Sequence, residues 1–151
     1  MLRYTLIAGL LVLPAYAQDG DDLPIAVQAR EGHMKTFALH LGALGGMAKG
    51  EIEYDAELAS AHASELASLA GLAQTGYWPE GTSSAELMGS RAPPAIWEDR
   101  ADFDSKQEAL HQAAMQLESV AGDGAEAIGG ALGGVGQACG ACHRVYRAEE
   151  E

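Results

Sequence analysis

The sequence predicts an all-α protein, an antiparallel four-helix bundle, and three observations predict it. Apolar residues make up 48% of the 151-residue chain but aromatics only 6%, so Ala and Leu carry much of the apolar content and favour helix over sheet. Four segments repeat apolar residues three and four apart, the period of one helix face, and no segment shows strand-like alternation. Most of the turns between them are short, which sets neighbouring helices antiparallel. The length suits one domain around one core.

Residues 1–17 read as a secretory signal peptide ahead of this domain, which then spans 18–151. Arg3 supplies the positive start, Leu6 to Leu13 the apolar run, and Ala15-Tyr16-Ala17 the small-x-small cleavage pattern, with the polar stretch Asp19 to Asp22 after it. The run is short for a transmembrane helix, and an uncleaved anchor is the alternative. The expected product is exported, periplasmic in a Gram-negative source, with no stable membrane insertion.

The first helix is expected from about Leu23 to Lys49. Pro24 suits its first turn, and Met34, Phe37, Ala38, Leu41, Leu44 and Ala48 form its stripe. Lys49-Gly50 ends it with a basic last turn and a terminating glycine. Asp55 is a plausible N-cap for the second helix, which lines up Leu58, His62, Leu66, Leu69 and Ala73 and ends at Gly76 and Pro79. Residues 76–98 are rich in Gly, Pro and Ser. A connection of that length fits a compact domain if Trp78 and Trp97 dock it.

The third helix, about Glu98 to Ala121, carries Phe103, Leu110, Ala114, Leu117 and Ala121. The fourth follows Asp123-Gly124, with Asp123 and Glu126 resembling a capping box, and lines up Ile128, Ala131, Leu132, Val135, Cys139, Cys142 and Tyr146. Its glycines at 129, 130, 133, 134, 136 and 140 each disfavour helix by about 1 kcal/mol relative to Ala. Either this stretch is frayed or partly looped, or packing against a flat group or a neighbouring helix holds it.

Both cysteines fall in Cys139-Gly140-Ala141-Cys142-His143. An exported pair can form a disulfide, and a Cys-x-x-Cys can be a thioredoxin-like redox pair, but the latter needs a βαβ context that is missing here. The histidine directly after the second cysteine matches covalent attachment of one haem c. Thiols three apart on a helix reach the vinyl groups along one haem edge, and His143 then supplies the proximal nitrogen to iron. No Met or His follows His143, so a sixth ligand would come from Met34, Met47, Met88, Met115, His33, His40, His62 or His111.

The formal net charge is −13, and loss of residues 1–17 removes one basic and no acidic residue. Such a surface repels nucleic acid and anionic membranes. It is compatible with a basic redox partner, though solubility alone explains it.

A haem motif on the last helix of a four-helix bundle resembles the class II cytochromes c, the cytochrome c prime family, over nearly the whole mature chain. Ala29-Arg30 with Met34 and Ala48-Lys49-Gly50 resemble the family's first helix, and Tyr54-Asp55 the start of its second. Pro94-Ala95-Ile96-Trp97 with Phe103, and Val135-Gly136-Gln137-Ala138-Cys139 through Tyr146-Arg147, carry the more specific resemblance. The resemblance implies a homodimer formed by the first two helices. It implies Arg30 near a haem propionate with Glu31 beside it, Arg91 at the haem edge, and Arg147 beside the proximal His143.

It also implies two alternatives at Met34, the distal-face position. In high-spin members this residue leaves the iron five-coordinate and able to bind nitric oxide or carbon monoxide. In low-spin relatives a Met here ligates iron and favours simple electron transfer. The expected function is therefore a periplasmic monohaem electron carrier, with a gas-binding haem protein as the alternative. An enzyme such as a peroxidase is not expected, because it needs a polar distal acid–base group and His33 lies about 100° around the helix from Met34.

Overall fold

A computed structural model describes residues 23–149; the segment 1–17 read as a signal peptide lies outside the described residues. Helix α1 spans Ile25–Lys49, α2 Ala56–Ala70, α3 Ala95–Glu98 and α4 Arg100–Val120. A 3-10 turn at Ala121–Asp123 leads into α5, Ala125–Tyr146. No strand occurs among the described residues, and none of the helices is long and apolar enough to cross a membrane. α1 packs against α2 and α5, and α4 packs against the same two. The four long helices thus form the expected four-helix bundle, with both cysteines on its last helix.

The helix ends follow from local chemistry in most places. Asp55 caps α2, its carboxylate accepting from the Leu58 N–H at 2.8 Å. Gly50 terminates α1 at φ 73°, and the N–H groups of Gly50, Glu51 and Ile52 close onto the carbonyls of Met47 and Gly46. Pro24 stands one position earlier than expected, as the N-cap, with its carbonyl accepting from Val27 and Gln28.

Three local expectations are corrected. The capping box at Asp123 and Glu126 does not form. Asp123 lies in the 3-10 turn, and Gly124 takes the N-cap of α5 at φ 128°, a corner that a residue with a side chain resists. α2 stops at Ala70 rather than near Gly76: Gly71 is its C-cap at φ −80°, with the cap N–H groups closing onto the Ala67 and Leu69 carbonyls, and the His111 ring, 2.9 Å from where a Gly71 Cβ would stand, leaves no room there for a larger residue. The buried face of α2 is Ala59, Ala63, Leu66, Ala67 and Ala70, while Leu58 is 48% exposed. Leu66 and the partly buried Leu69 of the expected stripe do pack on the core, but four small Ala side chains make up most of the buried face that lies against the bundle.

The main core joins Phe37, Leu44 and Met47 of α1 to Leu66 of α2, Leu117 of α4, and Ile128 and Val135 of α5. A smaller cluster of Ala92, Ile96, Phe103 and Tyr146, flanked by Trp78, Trp97 and Cys142, anchors the long connection. Both tryptophans dock as expected. Trp97 Nε1 donates to the Trp78 carbonyl at 3.2 Å, and Trp78 meets Phe103 edge-on at 4.9 Å between centroids.

Candidate haem site

α5 is a continuous helix despite its glycines, so the frayed alternative does not hold. A Cβ at Gly129 would stand 3.8 Å from Ala48 of α1, and one at Gly134 would stand 4.0 Å from Ala113 of α4, so neighbouring helices run beside these glycines. The helix turns Cys139, Cys142 and His143 toward a cavity of about 660 Å³ bounded by α1, α4, α5 and the long connection. Its walls are mainly apolar: Val27, Phe37 and Leu41 from α1, Phe103 and Leu110 from α4.

The two thiols are free, half-buried and not joined, and burial pushes both above their usual value. They therefore stand as neutral thiols rather than thiolates. Burial, reinforced by the charges of Arg147 and Arg91, pushes the His143 imidazole below its ordinary value. A neutral ring offers its lone pair, the form that ligates iron.

Met34, Arg30, Glu31 and Arg91 all line the same cavity. Of the sixth-ligand candidates, Met34 alone does so. Met47 is buried in the main core, Met88 is 79% exposed on the connection, and Met115 lies on α4. His33 is buried against Phe37 and Tyr77, with ring centroids 5.0 and 5.7 Å away. His40 and His62 face each other, and His111 lies over Gly71.

Arg30 is buried, and its terminal nitrogens are taken up elsewhere. Nη1 donates to the Tyr77 carbonyl at 3.3 Å and to Thr82 Oγ1 at 3.2 Å. Nη2 donates to the Thr82 carbonyl at 3.1 Å and to Ser90 Oγ at 3.2 Å. The guanidinium also lies 4.8 Å from the centroid of the Trp78 ring. Arg30 thus latches the connection to α1, and what it offers the cavity is chiefly its positive field. Arg91 does similar work at the other edge. Its Nε and Nη2 donate to the Ala148 carbonyl at 3.1 and 2.9 Å, holding the chain after α5.

Several lining residues were not singled out from the sequence. Gln74, in the left-handed region at φ 51°, accepts from Trp78 Nε1 and Gln107 Nε2 through one oxygen, at 3.0 and 2.9 Å. Lys106 of α4 pairs with Asp102 at 2.8 Å and reaches the cavity. Its position three residues after Phe103 is the signal that points to it. Gln74 carries no such signal, because its place depends on where α2 stops.

The residues fit a haem. The volume lies in the range of cofactor pockets, the walls are apolar, and two thiols and an imidazole converge on it. Arg30, Arg91, Lys106 and Arg147 supply positive charge for two propionates. A four-helix bundle whose last helix turns Cys-x-x-Cys-His into such a cavity defines a haem-binding c-type cytochrome of the bundle class.

The family model described as cytochrome C' matches residues 25–147, and the chain belongs to that family. It is 40% identical to a cytochrome c-554 of Cereibacter sphaeroides over 141 residues, 93% of this chain and 92% of the relative. It is equally 40% identical to a cytochrome c' of the same species, over 97% of this chain and 98% of the relative. Among solved structures, the cytochrome c' of Rhodobacter spheriodes superposes with a TM-score of 0.79 at 39% identity, covering 83% of this chain and 97% of that one. A nitric oxide complex of a point mutant of cytochrome c prime from Alcaligenes xylosoxidans superposes at 0.72 with 32% identity, covering 83% and 95%. The family carries covalent haem c, for which Cys139 and Cys142 are the two thiols of this chain.

Proposed function

We propose that this protein is a non-catalytic, periplasmic electron carrier whose haem iron is held by His143 and Met34. The observation that carries the reading is that Met34 alone, among the candidate sixth ligands, lines the cavity with His143. Bound haem supplies a one-electron iron couple, and thioether ligation raises its potential. The chain's own residues attach the haem at Cys139 and Cys142, keep water from it with apolar walls, and set positive charge at the rim. Export is supported by the sequence of residues 1–17, and a basic redox partner by the acidic surface. A homodimer through α1 and α2 is supported by the exposure of Leu39 and Leu58 on those helices.

A second reading has a specific observation behind it. The structurally similar cytochromes c prime include nitric oxide and carbon monoxide complexes, so a reversible gas site at Met34 is the competitor. A methionine side chain is flexible enough to leave the iron or never to bind it. Ferric absorption and electron paramagnetic resonance spectra separate the two. The carrier reading expects a low-spin spectrum that becomes high-spin in Met34→Ala. A high-spin parent that binds nitric oxide readily would establish the gas-binding reading instead.

A further inference from the structure

Away from the haem cavity, α1 and α2 bring three metal-binding side chains together. His40 Nδ1 lies 3.0 Å from His62 Nδ1 and 3.3 Å from Glu65 Oε2, and the three candidate donor atoms all lie within 4.8 Å of one another. None of these residues lines the haem cavity. His62 and Glu65 are three apart and share one face of α2, while His40 comes from the facing side of α1. His40 is buried, His62 half-buried and Glu65 exposed, so the cluster opens outward. A groove of about 460 Å³, lined by Thr36, His40, Glu65 and Ser68 among others, gives ions and water access.

We propose that His40, His62 and Glu65 form a second metal site that takes a late first-row divalent cation, with zinc as its representative. Two neutral imidazoles whose Nδ1 atoms face each other share a single N–H between them; when that proton moves to Nε2 of its own ring, both Nδ1 lone pairs are free for a cation in its place. Tetrahedral zinc, about 2.0–2.1 Å from each nitrogen, sets two ligand nitrogens about 3.3 Å apart. The His40–His62 pair needs to open by only a few tenths of an ångström, and the Nδ1–Oε2 edge already matches. Two imidazoles with one carboxylate suit zinc or copper, whereas calcium and magnesium want oxygen alone. Three protein donors leave the fourth position to water from the groove.

The test is calorimetric titration of tag-free, haem-loaded protein with zinc chloride, alongside His62→Ala and Glu65→Gln. In the haem-loaded protein both thiols are thioethers and do not compete. The expected result is one zinc per chain, with no change in the Soret band. Residues one step removed from a metal typically change affinity about 10- to 100-fold, so each ligand substitution is expected to weaken binding at least about tenfold. Absence of saturable binding by the parent overturns the proposal. So does either variant, shown by circular dichroism to be folded, binding zinc as tightly as the parent. Neither outcome bears on how the haem iron is ligated, which keeps this site distinct from the electron-carrier reading.

Discussion

The phenol of Tyr146 donates to Asp102 Oδ2 at 2.8 Å, and the same carboxylate takes Lys106 Nζ at 2.8 Å. Burial and then Asp102 push the phenol up to about 12 from its ordinary value near 10. The folded state therefore holds this proton more tightly than the unfolded chain does. The resulting stability is complete below pH 10 and drains as pH rises from 10 through about 12. Denaturant midpoints measured across that window are expected to fall with pH in the parent, and to fall less in Tyr146→Phe. At this scale the haem attachment residues were readable in advance, because covalent attachment demands a fixed local spacing. The acceptors of Arg30 were not. They lie 47 to 60 residues away, and nothing in a local pattern joins an arginine to Tyr77, Thr82 and Ser90.

α5 holds a regular helix over 22 residues with open space beside several of its glycines. A Cβ at Gly130 or Gly133 meets nothing within 4 Å, and neither residue has a positive φ. Gly130→Ala and Gly133→Ala are each expected to stabilise the protein by about 1 kcal/mol, measured by denaturant unfolding of the haem-loaded form. A loss of stability would show that these glycines serve a contact beyond the single chain. Helix existence was legible from the 3.6-residue period. Helix ends were legible where one residue acts alone, as Asp55 and Gly50 do. They are not legible where two glycines compete for the end, as Gly71, the C-cap of α2 at φ −80°, does with Gly76 five residues on at φ 83°. The buried face of α2 is legible at Leu66 and Leu69 but not at Ala59, Ala63, Ala67 and Ala70, because alanines carry little hydrophobic signal although they admit close packing.

Across the whole molecule, the bundle was legible because four amphipathic segments with short turns leave few alternatives, and the docking of the long connection because two tryptophans need burial. The His40–His62–Glu65 cluster was not, since it exists only once α1 and α2 are packed. The haem cavity has the same character on a larger scale. One wall is α1, near the start of the described chain, and another is α5, near its far end, with Arg30 and Arg91 fastening the connection between them. Anything that fills this space touches segments that meet only after more than half the chain has been looped back. Its binding free energy is then shared by the entire cooperative unit rather than by the helix that carries the attachment. Amide exchange is expected to be slower in α1 as well as α5 when haem-loaded protein is compared with Cys139→Ser/Cys142→Ser, by at least about tenfold, equivalent to about 1.4 kcal/mol. Slowing confined to α5 would count against it. A cavity bounded by the first and last helices of the described chain makes the seated cofactor a tie between them.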